Sequence, residues 1–413
     1  MHSVRISLRS PVTNVLRCVA ALLSTLLLLS ACGGGGSSGM SSPSPTPSPS
    51  PSPSPSPSPS PQSNYMLTYL VANSTAVTAL DTDSKLVNAW GLAFAPTAYA
   101  WISDAGSNYS SLYDGNGNPP SSGGGYGSSS QPAHITIPAG SSGTAGPTGI
   151  VYNATSGFSI GSSGVSDPAT FLFGTLGGSI EGWNASVDSS SAIVAYNSTD
   201  GAMYTGLTMA TDGSGNYYLY AADFKNDKIA VFNSSFTPET SGFNFYDSAI
   251  PSGYAPYNVQ NIPTSSGTAQ IYVTYAQPST SAQHVTIGAG LGYVAVFQWD
   301  GTLISTLVSQ GSLNAPWGLA IAPSNFGPMS GALLVGNFGD GAINAYNATT
   351  GAGMGPLLLA SGKQLFVPGL WAIAFGNGSN SQPMNTLFFT GGPDTQTAGV
   401  YGRIDLAGTY TPP

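Results

Sequence analysis

A six-residue pattern that recurs along this chain constrains its fold more than any other feature. Its clearest copies are Ala89-Trp90-Gly91-Leu92-Ala93-Phe94 and Pro316-Trp317-Gly318-Leu319-Ala320-Ile321. Aligned on the position of the Gly, six copies stand at residues 91, 149, 206, 258, 318 and 372, at intervals of 52 to 60 residues. Repeats of this length that are built from strands alone are typical of propeller blades. The sequence therefore predicts an all-β chain folded as a six-bladed β-propeller.

Within one repeat, short apolar strands alternate with turns. The best-preserved copy runs from Thr205 to Phe232, with strands at 206–212, 217–222 and 228–232 separated by turns rich in Gly, Asn and Asp. A spare strand, Tyr65–Ala72, precedes the first repeat. A ring of sheets otherwise has an open seam with unpaired edges. We therefore expect this N-terminal strand to complete the last blade from outside and close the ring.

The best-preserved copy resembles the NHL repeat, in which Gly-Leu-apolar-x-Asp is followed by a strand ending Ala-Asp and by Asn-x-Lys/Arg-Ile-x-Val-Phe. The matching stretches are Gly206 to Asp212, Tyr217 to Asp223 and Asn226 to Phe232. As a whole, residues 65–410 resemble a largely uncharacterised family of exported bacterial β-propellers. That resemblance rests on Trp90-Gly91-Leu92, Trp101-Ile102-Ser103-Asp104 and Trp317-Gly318-Leu319. It implies a fold and an exported bacterial protein, and no particular activity.

The first 64 residues predict export and attachment to a membrane. Arg5, Arg9 and Arg17 precede an apolar stretch, Val19 to Leu29, that is too short to span a bilayer and is typical of a signal peptide. Leu29-Ser30-Ala31-Cys32 then resembles a bacterial lipobox, which implies cleavage before Cys32 and lipidation of that residue. We expect residues 1–31 to be a lipoprotein signal peptide, 32–64 a Gly/Ser/Pro-rich tether, and 65–410 the propeller, displayed on the outer membrane or cell surface.

Composition excludes several classes of function. Without the signal peptide, five basic residues stand against 17 acidic ones, a net charge of −12, which argues against binding to nucleic acid. Cys18 falls in the signal peptide and Cys32 is the predicted lipid site, so the propeller has no disulfide and no thiol nucleophile. Its two histidines, His134 and His284, each lack a second His or acid at ligand spacing, and we expect both in surface loops.

Oxygen-bearing side chains occupy one position of the repeat. Asp104, Asp223 and Asn337 each follow the second strand of a copy, and Glu181, within Gly178 to Trp183, could join them. Because a propeller brings equivalent positions to one face, these four residues are candidates for a Ca²⁺ site. The resemblance to NHL-like propellers implies that such a site would serve a lactonase or lyase. The alternative is that these side chains cap the following turns and hold no ligand.

Aromatic and amide side chains near the start of the first strands form a candidate ligand face. Trp90, Trp317 and Trp371 recur there, and Asn88 and Asn314 precede two of them. We expect them to ring the channel mouth and stack on a sugar or peptide, or else to pack between blades. Tyrosines in or near loops would extend this recognition surface, namely Tyr109, Tyr113, Tyr126, Tyr254, Tyr257 and Tyr275.

These observations predict a lipid-anchored binding or interaction module whose partner is a glycan, a peptide or an envelope protein. The alternative is a calcium-dependent hydrolase or lyase with its site in the propeller channel. Such an enzyme would have to rely on carboxylates and metal, because strong catalytic side chains are scarce. A third interpretation is a purely structural or adhesive surface protein, which the long tether and the low content of charged residues favour.

Overall fold

The computed structural model describes residues 64–120, 133–280 and 284–412 of the chain. All the blades belong to the compact unit Pro59–Pro413. The predicted signal peptide, Cys32 and all but the last residue of the predicted tether lie outside the described residues, as does Tyr126. In the part that is described, no helix is long and apolar enough to cross a membrane.

Six antiparallel sheets surround one axis as the blades of a propeller, and each first strand contacts the first strands of the two neighbouring blades. The first strands of blades one to six are Ala89–Phe94, Pro147–Tyr152, Tyr204–Thr211, Ala255–Asn261, Pro316–Ile321 and Leu370–Phe375. The second strands are Ala100–Asp104, Phe171–Thr175, Tyr217–Asp223, Gln270–Pro278, Leu333–Asn337 and Leu387–Gly391. The third strands are Tyr109–Tyr113, Ser179–Trp183, Lys228–Asn233, Tyr293–Gln298, Ile343–Tyr346 and Val400–Leu406. The outer strands are His134–Thr136, Ile193–Asn197, Pro238–Glu239, Leu303–Ser309, Gly353–Pro356 and Tyr65–Ala72.

A few short elements lie outside this plan. A hairpin of Ser159–Ser162 and Val165–Pro168 is inserted between the first two strands of blade two. The remaining ones are strand Asp81–Thr82 beside the outer strand of blade six, strand Val285–Thr286 beside the second strand of blade four, the 3₁₀ turn Gly327–Met329 and the helical turn Pro393–Gln396. We call the face on which the first strands begin the upper face, and the face on which they end the lower face.

The N-terminal strand closes the ring, as predicted. Tyr65–Ala72 pairs antiparallel with Val400–Leu406, with Tyr65 opposite Leu406 and Ala72 opposite Val400. Tyr65 is buried, and its hydroxyl donates a hydrogen bond to the carbonyl oxygen of Phe326 in blade five at 2.9 Å. The last blade therefore joins strands from both ends of the described chain, which removes the unpaired edges that an open ring would have.

The glycine of the repeat lets the first strands approach one another closely. A methyl group at Gly91 would overlap with the carbonyl oxygen of Thr148 in the next blade. Blades four and six depart from this rule, because Asn258 and Ala372 occupy the glycine position. The side-chain amide of Asn258 donates to the carbonyl oxygen of Trp317 in blade five at 2.8 Å. An amide thus bridges the first strands of blades four and five.

Aromatic and aliphatic side chains fill the spaces between blades. Between blades one and two, the ring of Trp101 stacks on Phe171 with centroids 4.2 Å apart and lies 4.7 Å from Trp183. All three side chains are buried. A fully buried side chain of this kind stabilises the fold by roughly 1.5–3 kcal/mol. With no cysteine in the propeller, burial of this kind is the main source of its stability.

The turns on the lower face share one device. In five blades the third strand is followed by an Asp or Asn whose Oδ1 accepts a backbone N–H two residues later, namely Asp114, Asn184, Asn233, Asp300 and Asn347. This geometry is the Asx turn, in which a short polar side chain imitates a backbone turn. The high content of Asn and Asp in the turns is therefore structural at these positions.

Candidate functional site

The upper end of the channel is filled by aromatic rings. Trp90, Trp317 and Trp371 are 2%, 5% and 0% exposed, and Trp90 stacks on Trp371 with centroids 3.6 Å apart. The indole N–H of Trp317 donates to the carbonyl oxygen of Thr205, across the channel in blade three, at 2.9 Å. Phe338 stacks on the other side of Trp371 at 4.2 Å. The structure brings the three predicted tryptophans together, and their burial favours the packing interpretation over stacking on a ligand.

The amides that precede the tryptophans are also occupied within the protein. Asn88 accepts the indole N–H of Trp371 at 2.9 Å and donates to the side chain of Gln396 at 3.1 Å. Asn314 accepts the backbone N–H of Gly288 at 2.7 Å and donates to Asp340 at 3.2 Å. Both amides are buried. They hold loops in place over the upper face and leave no free group that points to a ligand.

The lower end of the same channel contains a cavity of about 260 Å³. Its apolar wall is formed by aliphatic and aromatic side chains from the first strands, including Leu92, Leu207, Leu319, Ile373 and Phe375. Its polar wall comes from blade four alone, through Asn258, Gln260 and Asn261. The lining has no titratable side chain among the described residues. The cavity thus offers amides and apolar surface, with neither acid nor base.

The three amides differ in how far the protein already uses them. Asn258 donates to Trp317, and Asn261 donates to the carbonyl oxygen of Met209 at 3.0 Å. The side-chain oxygen of Asn261 is buried and has no hydrogen-bond partner. Gln260 is half-buried, and none of the hydrogen bonds between described residues involves its side chain. The Gln260 amide is therefore the unpaired, accessible polar group at the cavity, whereas the unpaired oxygen of Asn261 is covered by protein.

Sequence reasoning passed over this site because it looked for residues that recur. The stretch Pro256-Tyr257-Asn258-Val259-Gln260-Asn261 is the copy that matches the repeat least well. Its three amides stand where blade five has Gly318, Ala320 and Ile321. The departure from the repeat was itself the signal, since Gln260 stands where the other copies have no amide and it makes no hydrogen bond within the described residues.

The predicted oxygen ligands Asp104 and Asp223 have separate partners in separate blades. Ser111 donates to Asp104 at 2.6 Å, and burial raises the pKa of Asp104 well above the usual carboxyl range. Asp223 accepts the side-chain amide of Asn226 at 2.8 Å and the backbone N–H of Met203 at 3.1 Å. The second of these residues caps the turn that follows it, which is the alternative that the sequence left open.

Glu181 and Asn337 are likewise held apart. Ser179 donates to Glu181 at 2.9 Å, and burial raises the pKa of Glu181 to about 8. Asn337 donates to the carbonyl oxygen of Ser312 at 2.7 Å. No group of three or more His, Cys, Asp or Glu side chains within the described ranges is placed to hold a metal ion. A calcium site built on these four residues stays a prediction.

A cluster of titratable groups between blades six and one was not predicted. His134 Nε2 lies 2.6 Å from Asp83 Oδ2, and the hydroxyl of Tyr113 donates to the same oxygen at 2.7 Å. Burial opposes ionisation of Asp83, but the hydrogen bonds from His134, Lys85 and Tyr113 lower its pKa to about 2. His134 therefore ties the loop before blade one to the outer strand of that blade, and it is not a free surface residue.

The tyrosines expected on a recognition surface are mostly internal. Tyr113, Tyr254, Tyr257 and Tyr275 are buried, and Tyr109 is half-buried beneath the Lys85 ammonium group. The expectation was wrong for these four because strand ends that look like loops in the sequence are covered by neighbouring blades. Exposed tyrosines lie elsewhere, at Tyr217 and Tyr246.

Comparison with known proteins identifies relatives whose function is not described. No family model matches the chain. The uncharacterized protein R648 of Acanthamoeba polyphaga mimivirus is 33% identical over 351 residues, which cover 83% of this chain and 80% of that protein. The uncharacterized protein L690 of the same virus is 29% identical over 350 residues, which cover 83% of this chain and 86% of the relative.

Similar solved structures share little sequence with this chain. A streptogramin B lyase has a TM-score of 0.45 and 11% identity over 83% of this chain and 98% of the lyase. A structural genomics protein of unknown function from Bacteroides thetaiotaomicron has a TM-score of 0.47 and 10% identity over 83% of this chain and 76% of that protein.

Proposed function

This chain belongs to the family of the uncharacterized mimivirus protein R648, and from its own structure we propose that it is a recognition module that binds a small neutral ligand at the lower mouth of its channel. The cavity of about 260 Å³ carries this proposal, because the unpaired Gln260 side chain lines it together with an apolar wall. Sites with a few convergent polar groups on an apolar surface are typical of ligand binding. A sugar ring or a short uncharged peptide segment has the matching chemistry.

Binding without catalysis is the function that this chemistry supports. General acid–base and nucleophilic catalysis need a titratable or nucleophilic side chain within hydrogen-bond reach of the ligand. The described residues of the cavity lining include no Asp, Glu, His, Lys, Arg, Ser or Thr. The alternative of a calcium-dependent hydrolase or lyase would require Asp104, Asp223, Glu181 and Asn337 to leave their present partners. One side-chain oxygen each of Asp104, Glu181 and Asn337 is buried without a hydrogen-bond partner, but among the described residues no three acidic or histidine side chains are placed around one ion.

Display on a membrane through lipidated Cys32 is part of the same proposal. The first described strand begins at Tyr65 on the lower face, so a tether formed by residues 32–64 would join the propeller on the side that carries the cavity. The relatives are viral proteins, and the resemblance to exported bacterial propellers stays a prediction. Cys32→Ser should release the protein from the membrane fraction of the producing cell, and a variant that remains there would contradict the anchor.

Ligand-observed NMR on the full-length chain tests the cavity. The probes are a panel of neutral monosaccharides and N-acetylated dipeptide amides. The variant Gln260→Ala should weaken binding about tenfold through loss of one hydrogen bond, without loss of stability. Gln298→Ala, an exposed glutamine in the same blade, is the matched control and should bind like the unmodified chain. Equal binding by both variants, or no binding by any probe, would overturn the proposal.

A further inference from the structure

A second concave surface lies on the lower face at the rim of blades two and three. It consists of a cleft of about 600 Å³ and a neighbouring cleft of about 310 Å³. The two clefts adjoin at Thr155, which lines both, and we call them together the rim groove. Residues 152–157, 167–170, 184, 215–218 and 233–234 line it. None of these residues lines the channel cavity.

A hairpin inserted in blade two, which the described residues of the other blades lack, builds one wall of the rim groove. The hairpin of Ser159–Ser162 and Val165–Pro168 interrupts the repeat between the first two strands of that blade. Phe158, at its base, is fully buried, with its ring centroid 5.4 Å from that of Phe236 in blade three. The backbone N–H of Phe158 also donates to the carbonyl oxygen of Ser234 at 2.7 Å. The insertion is therefore a fixed wall, and insertions that rigid scaffolds hold in place commonly carry function.

Internal hydrogen bonds fix the floor of the groove. Asn153 donates to the carbonyl oxygens of Gly157 and Ala169 at 3.1 and 2.8 Å, and its own oxygen accepts the hydroxyl of Thr155 at 2.7 Å. Asn184 donates to the carbonyl oxygen of Pro168 at 2.7 Å. Because these bonds already exist, a ligand would not have to order the floor, which lowers the entropic cost of binding.

Several side chains in the rim groove make no hydrogen bond within the described part of the protein. The side chains of Ser156, Tyr217 and Ser234 are exposed and make no hydrogen bond to another described residue. The ring of Tyr217, 41% exposed, also makes no contact with another described aromatic ring. Asp167 is the only charged side chain among the described lining residues. The groups that a ligand could contact are one open aromatic face, hydroxyls and amides, and almost none of them is charged.

We propose that the rim groove is a binding site for a neutral oligosaccharide chain. Sugar rings present apolar faces that stack on an aromatic ring and a rim of hydroxyls that exchange hydrogen bonds with hydroxyl and amide groups. Two adjoining open clefts suit several linked sugar units better than a single one. This site is independent of the proposed ligand at the channel, because the two share no lining residue.

Surface plasmon resonance with the immobilised full-length chain tests the rim groove. The probes are neutral hexasaccharides with β-1,4-linked glucose, β-1,4-linked N-acetylglucosamine or α-1,6-linked mannose. At least one should bind, and Tyr217→Ala should weaken that binding about tenfold through loss of the stacking face. Tyr217→Phe keeps the ring and should retain most of the affinity. Tyr246→Ala removes a tyrosine that is 67% exposed outside the groove and should leave binding unchanged.

The outcomes separate the two proposed sites. Weaker binding in Tyr217→Ala together with unchanged binding in Gln260→Ala supports the rim groove. If none of the hexasaccharides binds, or if Tyr217→Ala and Tyr246→Ala bind alike, the proposal is overturned. If Gln260→Ala alone abolishes hexasaccharide binding, the glycan occupies the channel and the rim groove is not the site.

Discussion

At the upper end of the channel, Trp90 and Trp371 stack 3.6 Å apart and exclude any ligand, whereas at the lower end the same six strands leave a cavity of about 260 Å³. The upper half of the propeller also buries Asp104 and Glu181 among apolar neighbours. On the lower face, polar side chains such as Gln260 and Tyr217 have unused groups. One repeat therefore fills the channel at one end and leaves it open at the other.

The two ends of the channel differ because different residues occupy the beginning and the later part of the first strands. Near the start of the first strands the residues are large and aromatic in blades one, four, five and six, so they meet on the axis and fill it. Further along those strands the residues that line the cavity are mostly aliphatic, and in blade four they are amides. Close packing at the upper end stabilises the fold, whereas the cavity at the lower end leaves room beside polar side chains for a ligand. Changes at the upper end should thus alter stability, and changes at the lower end should alter affinity.

The largest effect is expected for Trp371→Ala, which removes the centre of the upper aromatic cluster. Loss of a buried Trp costs about 3–5 kcal/mol of unfolding free energy, and Asn88 would also lose its indole partner. Denaturant unfolding measures this loss. Trp299→Ala removes a half-buried Trp on the blade surface and is the matched control, with a smaller expected cost. If both variants lose the same unfolding free energy, the upper aromatic cluster contributes no more to stability than a half-buried tryptophan elsewhere.

A smaller effect is expected from the titration of Glu181. Burial raises its pKa to about 8 from an ordinary value of 4.5, so the folded chain keeps a proton that the unfolded chain releases. Stability should therefore fall by a few kcal/mol as the pH rises from about 4.5 to about 8, since each pKa unit is worth about 1.4 kcal/mol.

Glu181→Gln isolates this contribution. The variant cannot ionise at this position, so it should lose stability less steeply over the same pH range and should be the more stable form above pH 8. Asp104 also contributes to the pH dependence of stability in both chains, because burial raises its pKa as well. Melting temperatures of the two chains across the range provide the measurement. Parallel pH profiles would show that Glu181 is not a buried neutral acid.

The smallest effect is expected for calcium. Because the four predicted oxygen ligands have separate partners, replacing calcium with a chelator should change the melting temperature by about a degree at most. An ion that binds the folded state at 100 times its Kd would instead add about 2.7 kcal/mol and raise the melting temperature by several degrees. Such a rise would show that the upper half of the propeller binds a metal, and it would favour the enzymatic alternative.

The fold was largely predictable because a short stretch of sequence specifies each blade and the same pattern recurs along the chain. The spacing of the Gly position correctly predicted six blades and the first strand of each one. The spare strand Tyr65–Ala72 predicted the closure, since an unmatched strand before the first repeat fits the open edge of the last blade. The candidate sites were less predictable. The recurring residues Trp90 and Trp371 are buried and stack on each other, which favours packing, and Gln260 and Tyr217 carry no repeat signal of their own.

The sequence by itself determined the number of blades, their order and the strand that closes them, because turns and strand patterns within some 60 residues decide each blade. Tertiary structure alone decided which end of the channel is filled, since Trp317 meets Thr205 from a blade more than a hundred residues away. It also decided that Thr155, Tyr217 and Ser234 share one groove. A site of this kind is formed by side chains from distant segments, and only the packing of whole blades brings those segments to the same place.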